Sequence, residues 1–168
     1  SEPAPQFKII EQPNDFVKTV KHIAQDKSLN ESQSCRLEFW TQFNDILEQR
    51  GKPFNKRKAT IDHWYSIAVG SSECQISIDL VNKDHKIRVG LWIANNKNMF
   101  DAIYAHKGEI ESALGFSLFW ERLNHKKSSH ICKYIDGLDF KNQDNYPKLM
   151  NETIDLAVKM RDVLKKYI

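Results

Sequence analysis

The stretch WYSIAVGSSECQISIDLVNKDHKIRVGLWI, residues 64–93, decides the fold class. Apolar and polar residues alternate in three short runs, which turn-forming residues at 70–72 and 82–85 separate. Such alternation is typical of strands with one buried face, and tight turns join antiparallel strands. The stretch therefore predicts a three-stranded antiparallel meander. Its predicted inward-facing side chains are Tyr65, Ile67, Val69, Ile76, Ile78, Leu80, Ile87, Val89, Leu91 and Ile93.

Helical periodicity flanks the meander on both sides. Asn30 and Gln33 predict a capping box for a long helix that ends at Gly51. After the meander, the pattern predicts one helix over 98–115, two weaker strands at 118–120 and 129–134, and a final helix with Pro147 in its first turn. Strands grouped between helices predict an α+β fold, a two-layer sandwich with a mostly antiparallel sheet. The predicted order is helix, helix, three-strand meander, helix, two strands and a C-terminal helix.

The domain organisation follows from proline content and length. Residues 1–13 hold three of the five prolines and predict a linker, whereas 14–168 predict a single α+β domain long enough to bury a core. A short amphipathic helix is expected at its start, with Phe16, Val17, Val20 and Ile23 on one face. Since the chain begins Ser-Glu-Pro-Ala-Pro without Met, we expect it to be the C-terminal part of a larger protein.

Composition narrows the class of protein. The hydrophobic and charged fractions of 40% and 28% are globular values, which argues against a disordered chain. Apolar stretches are too short to cross a bilayer, so no membrane association is expected. Cys35, Cys74 and Cys132 are odd in number and widely spaced, which favours reduced thiols and a cytoplasmic location.

The formal net charge of +3 is too small to indicate a partner, but its distribution is uneven. One basic cluster lies within residues 50–58 and a second within 122–133, each beside a tryptophan. Lysine and arginine neutralise phosphates, and tryptophan stacks on exposed bases, so DNA or RNA is a candidate partner. The candidate phosphate contacts are Lys56, Arg57, Lys58, Arg122, Lys126 and Lys127, and the candidate stacking residues are Trp64 and Trp120. The alternative is that these charges are solvated loops and the tryptophans are core residues.

A catalytic role has less support in the sequence than nucleic-acid binding has. Asp84-His85-Lys86, with Asp79 or Asp62, matches part of a nuclease metal pattern, but a hairpin turn explains these residues better. A zinc site at His125, His130 and Cys132 lacks an evident fourth ligand. Ser71, Ser72 and Cys74 lack a nucleophile motif, and Glu109 and Glu111 point to different helix faces. We therefore predict no catalytic residue, no metal and no cofactor.

Several short motifs carry a family resemblance. They occur in order along residues 35–165, which make up most of the chain. They are Leu37-Glu38-Phe39-Trp40 with Phe43, Trp64 with Ile67 to Ser71, Ile87-Arg88-Val89, Phe100-Asp101, Lys107-Gly108-Glu109-Ile110-Glu111, Gly115, Leu118, Trp120, Arg122, Leu123 and Lys126 to Ile131. In their order and spacing the chain resembles the bacterial and archaeal domain of unknown function 4268. The resemblance implies a position behind a restriction-endonuclease-like nuclease domain, joined through residues 7–18, and it brings no catalytic residues with it.

Two functional interpretations remain open. The first is an accessory module that binds nucleic acid in a nuclease or defence-related protein and helps to position its substrate. The alternative is a protein-interaction or dimerisation module that makes no nucleic-acid contact, for which an exposed apolar strip at Leu156, Met160, Val163 and Tyr167 would serve. A divergent metal-dependent nuclease is a weaker third interpretation.

Overall fold

The computed structural model describes residues 29–168, so the predicted linker at 1–13 and the predicted helix around 16–23 lie outside the described residues. Five antiparallel strands form one sheet with helices packed on it, which confirms the α+β prediction. The helices are α1 (Glu31–Gln49), α2 (Lys97–Tyr104), α3 (Lys107–Leu114) and α4 (Tyr146–Leu164). The strands are β1 (Trp64–Ala68), β2 (Cys74–Val81), β3 (Lys86–Ile93), β4 (Phe119–Glu121) and β5 (Ser129–Asp136).

The sheet has the order β1-β2-β3-β5-β4, which leaves β1 and β4 at its two edges. The predicted meander is confirmed as β1 to β3, and the second strand pair extends it through β5. The turn between β2 and β3 is a short 3-10 segment closed by His85 in the left-handed conformation (φ 55°). The side chain of Asn82 accepts from the amide of Phe140 at 3.2 Å, which ties this turn to a later loop.

The core lies between the sheet and the helices. All the inward-facing residues predicted for the meander are buried, and α1 adds Phe39, Trp40 and Phe43 in edge-to-face and stacked aromatic contacts. The capping box of α1 is confirmed, since Asn30 Oδ1 accepts from the amide of Gln33 at 2.8 Å. Because each strand buries one face against the helices, its alternate residues point to the opposite side.

One expectation about the helices was wrong. The single helix predicted for 98–115 is divided into α2 and α3, because the amide of His106 donates to the carbonyl of Ile103, three residues back, at 2.9 Å. The apolar strip on the last helix, whose exposure would have favoured a dimerisation module, is largely covered. Met160 is fully buried, and Leu156, Val163 and Tyr167 are partly buried against the core. The apolar residues of α4 are therefore used to hold the domain together.

No helix in residues 29–168 combines the length and apolar character that a bilayer crossing demands.

Candidate functional site

The sheet face opposite the core carries a cleft of about 470 Å³, which we call the sheet cleft. Apart from His63, which precedes β1, its residues come from alternate positions of β1, β2, β3 and β5, which the antiparallel register aligns. They are His63, Trp64, Gln75, Ser77, Asp79, Arg88, Trp92 and His130. Polar and aromatic side chains therefore occupy this face of the sheet. If another layer of the protein packed against the face, aliphatic side chains would be needed there instead. That composition indicates a surface suited to ligand binding.

The register arranges the sheet cleft as a shallow trough that runs across the strands. Small residues form its floor, because Ser77 pairs with Gly90 and Gly90 pairs with Cys132. A Cβ built on Gly90 would lie 2.2 Å from the carbonyl oxygen of Ile131 and 2.6 Å from Cβ of Cys132. Only glycine allows β5 to approach β3 this closely. The floor therefore depends on a residue without a side chain.

Asp79 and Arg88 form one wall of the trough as a cross-strand pair. Arg88 Nε donates to Asp79 Oδ2 at 3.0 Å, and Ser77 Oγ donates to the other carboxylate oxygen at 3.0 Å. Within residues 29–168 neither terminal guanidinium nitrogen of Arg88 has a hydrogen-bond acceptor. Its side chain is 25% exposed, so these nitrogens can reach a ligand in the sheet cleft.

The two tryptophans of the sheet cleft differ from the other two in the chain. Trp40 and Trp120 donate their indole N–H groups to Asp62 O at 2.8 Å and Glu111 Oε2 at 3.0 Å, which fixes both rings. Trp64 and Trp92 are partly exposed, and neither indole has an acceptor among the described residues. Two aromatic platforms with unoccupied N–H groups therefore face the same cleft.

Positive charges lie close to two residues of the trough, Trp64 and His130, although neither Arg57 nor Lys126 lines it. At the β1 edge, the Arg57 guanidinium lies 4.5 Å from the ring centre of Trp64, a cation–π contact. At the other end, burial lowers the pKa of His130, the charges of Arg88 and Lys126 lower it further, and Asp79 opposes them. His130 is therefore a neutral, partly buried donor or acceptor near pH 7. Lys126 is exposed, and its positive charge is close enough to His130 to lower the pKa of the imidazole.

The loop that carries Lys126 is held in place by Lys97. The ammonium of Lys97 contacts the carbonyl of Arg122, and it donates to those of Leu123 at 2.9 Å and Ser128 at 2.8 Å. Leu123 is left-handed (φ 56°), which marks the tight bend of this loop. A single side chain thus binds both ends of residues 122–128.

Six of the eight sequence-predicted site residues lie in three places. Trp64 lines the sheet cleft and Arg57 lies over its ring, while Lys126 and Lys127 are exposed in the turn between β4 and β5, at the opposite edge of the sheet. Lys56 and Lys58 are exposed beside the β1 edge, with Lys56 3.6 Å from Glu48.

The other two predicted residues, Arg122 and Trp120, make contacts away from the sheet cleft. Arg122 forms a two-point ion pair with Asp101, at 2.8 and 3.0 Å. Trp120 packs against Phe100 and Tyr104 on the side of the sheet that faces the helices. Neither side chain lines the sheet cleft.

The residues weighed for metal chemistry are separated in the fold. Asp84 lies in the turn between β2 and β3, whereas Asp79 is paired with Arg88 in the sheet. Burial raises the pKa of the Cys132 thiol to about 12, so it stays protonated and is a poor metal ligand. Residues 29–168 contain no group of three or more His, Cys, Asp or Glu side chains placed to hold a metal ion.

Sequence reasoning missed the central part of the sheet cleft. Arg88 and Trp92 were not candidates, and Asp79 and His130 were weighed only as metal ligands. The signal was present in the alternation itself, since Asp79, Arg88 and Trp92 stand at alternate positions between buried aliphatic residues. What the sequence did not show was that β5 pairs with β3 and brings His130 beside Trp92.

The family described as "Domain of unknown function (DUF4268)" matches residues 35–168. No curated protein matches the chain. Among solved structures, the chain is similar to YbjN from E. coli, a proposed transcription regulator, with 12% identity, a TM-score of 0.34, and coverage of 72% of this chain and 89% of that one. Since the family match spans the whole sheet and its cleft, the chain belongs to the DUF4268 family.

Proposed function

We propose that the sheet cleft binds single-stranded nucleic acid, with bases stacked on Trp64 and Trp92. The observation that supports this function is the presence of two partly exposed tryptophans without indole acceptors in one trough beside arginine. Open sheet faces that carry aromatic residues stack unpaired bases, and each such contact contributes about 1–3 kcal/mol. The module then positions a strand for the nuclease-like domain that the resemblance implies upstream.

The spacing of the two rings suits a short single strand. Trp64 pairs with Asp79, which pairs with Arg88, four residues before Trp92 on the same strand. Strand rise and strand separation place the two α-carbons about 16 Å apart. A few unstacked nucleotides span this distance, whereas the bases of a duplex are stacked inside and cannot reach both rings.

Phosphate contacts are few in this proposal. Arg57 lies over Trp64, the charge of Lys126 acts on His130, and Arg88 offers its terminal nitrogens between them. Two or three phosphate contacts on a single strand give a slope of log affinity against log salt of about −2. Binding by the sheet cleft is therefore expected to depend more on stacking than on charge.

Anisotropy of a labelled 12-nucleotide oligothymidine at 50 mM salt tests the proposal. Trp64→Ala and Trp92→Ala each weaken binding about tenfold, a fold-change within the range of one lost stacking contact. The double variant Lys126→Glu, Lys127→Glu weakens binding and flattens the salt dependence, while Lys148→Glu, a change at an exposed residue of α4, leaves both unchanged. No binding by the wild type, or equal binding by the tryptophan variants, refutes the function.

Light scattering separates this function from the alternative of a dimerisation module. Of the strip weighed for that role, Met160 is buried and the other residues are partly buried, so a second copy would have to pack mainly on another surface. A stable dimer that binds no oligonucleotide, and that charge reversal at Lys126 and Lys127 leaves intact, would favour protein interaction instead.

A further inference from the structure

Strand β1 lies at an edge of the sheet, and the register shows which of its main-chain groups face outward. The amide of Leu80 donates to the carbonyl of His63 at 2.7 Å, so His63 and Leu80 form a hydrogen-bonded pair. Because such pairs alternate along antiparallel strands, Tyr65 and Ile67 also bond to β2. The N–H and C=O groups of Ser66 and Ala68 therefore point away from β2.

These outward groups border a second cleft of about 490 Å³, which we call the edge cleft. The register leaves the main-chain groups of Ser66 and Ala68 outside the β1–β2 ladder, and within the part of the chain that the structure describes no loop or turn bonds to them. An edge with unpaired donors and acceptors is a template for one more strand. The edge cleft thus offers main-chain hydrogen-bond donors and acceptors at two alternate residues of β1, Ser66 and Ala68.

Four cationic side chains surround this exposed edge. They are Lys52, Lys56, Arg57 and Arg161. Glu48 lies 3.9 Å from Lys52 and 3.6 Å from Lys56, and Asp162 lies 3.0 Å from Arg161. The cations outnumber the two carboxylates that they contact, so the edge cleft attracts a ligand with negative charge.

We propose that the edge cleft binds an extended acidic peptide as an additional antiparallel or parallel strand beside β1. The peptide's main chain bonds to Ser66 and Ala68, and its Asp or Glu side chains reach the four cations, which is strand addition with charge selection. A nucleic acid could pair its phosphates with the four cations, but it could not satisfy all the main-chain groups at the β1 edge. Phosphates accept hydrogen bonds from the N–H groups and leave the carbonyls of Ser66 and Ala68 without donors. Arg57 is the one residue that the inference shares with the proposed function. The main-chain edge of β1, Lys52, Lys56 and Arg161 carry it independently of the sheet cleft.

Peptide binding can be tested with Ac-Glu-Val-Glu-Val-Glu-Val-NH2, followed by chemical-shift changes of the β1 amides. Ser66→Pro removes an outward donor without removing a ladder bond to β2, because the amide of Ser66 faces the edge. We expect Ser66→Pro to weaken binding at least tenfold and Ser66→Ala, which keeps the N–H group, to leave it unchanged. The double variant Lys52→Glu, Lys56→Glu is expected to weaken binding to a similar degree.

A second arm uses the wild-type protein, so that it does not depend on how Ser66→Pro folds. The same peptide is N-methylated at alternate amides in two versions, one that blocks residues 1, 3 and 5 and one that blocks residues 2, 4 and 6. We expect one version to lose binding and the other to keep it, since only alternate amides face β1. A lysine-for-glutamate version of the peptide is expected not to bind.

Three results would overturn the inference. The first is binding that Ser66→Pro and both methylation patterns leave unchanged. The second is oligothymidine binding that Lys52→Glu, Lys56→Glu abolishes while the acidic peptide fails to bind, which would assign the cations to phosphate. The third is self-association of that variant without peptide binding by the wild type, which would show that the lysines merely protect the edge.

Discussion

Arg88 and Asp79 face each other across β2 and β3, with Arg88 Nε 3.0 Å from Asp79 Oδ2, and this pair is the polar centre of the sheet cleft. The Asp79 side chain is only 10% exposed, and its two carboxylate oxygens accept hydrogen bonds from Arg88 and Ser77. Removing one partner of such a pair leaves an uncompensated carboxylate in a poorly solvated site. The same pair therefore contributes to the stability of the sheet and forms part of the proposed binding surface.

Replacing Arg88 with leucine is expected to lower the free energy of unfolding by about 2 kcal/mol, because Asp79 loses its charged partner. The measurement is urea denaturation followed by circular dichroism. In the double variant Asp79→Asn, Arg88→Leu the buried group is neutral, and part of the loss is expected to return. A double variant less stable than Arg88→Leu alone would contradict this account of the pair.

Gly90→Ala is expected to destabilise the domain by about 3 kcal/mol, because the new methyl group would collide with the main chain of β5. The matched control is Gly108→Ala in α3, where an added Cβ meets nothing within 4 Å. There alanine is expected to raise stability by up to about 1 kcal/mol, since glycine is a weak helix former. Thermal unfolding of the two variants gives the comparison, and equal effects would show that the close approach of β5 is unimportant.

Lowering the pH is expected to destabilise the domain through His130. Burial, Arg88 and Lys126 lower its pKa in the folded chain below the ordinary value of about 6.5. The unfolded chain then binds more protons than the folded one, so the stabilising contribution is complete above pH 6.5 and is lost as the pH falls through the folded pKa. His130→Gln is expected to flatten the melting temperature between pH 7.5 and 5.5.

An NMR titration of the imidazole provides the direct check on that prediction. The folded protein is expected to show a His130 pKa below 6.5, and Lys126→Gln is expected to raise it. A pKa above 6.5 would reverse the sign of the pH dependence and contradict the described surroundings of His130.

Much of the fold could be predicted from the residues, because burial and periodicity agree over the long elements. The alternation through Ile76, Ile78 and Leu80 defined β2, and the capping box at Asn30 defined the start of α1. The break between α2 and α3 could not be predicted, since Ile103 and Ile110 lie seven residues apart. That spacing suits one continuous helix as well as two.

The candidate site was harder to predict because it depends on strand order. Trp64 and Arg57 were recognised since they adjoin in sequence a cluster of positive charge. Arg88 and Trp92 were not, because their role requires that β3 lie in the middle of the sheet, between β2 and β5. Trp120 shows the converse. Its sequence neighbours are basic, yet its indole is bonded to Glu111 and packed toward the helices.

Lys97→Met is expected to loosen the loop between β4 and β5, because three carbonyl groups lose their shared donor. Hydrogen exchange of the amides in residues 122–128 is expected to accelerate, and oligonucleotide binding is expected to weaken as Lys126 loses its fixed position. Lys148→Met, a change at an exposed lysine of α4, is the control and is expected to alter neither. Unchanged exchange in the Lys97 variant would show that this ammonium does not hold the loop.

The most direct test of the proposed function follows the four indole N–H signals by NMR while unlabelled oligothymidine is added. The signals of Trp64 and Trp92 are expected to shift together with one binding constant. Those of Trp40 and Trp120, whose N–H groups are already bonded to Asp62 and Glu111, are expected to stay in place. Shifts confined to Trp120, or four unmoved signals at saturating oligonucleotide, would contradict nucleic-acid binding by the sheet cleft.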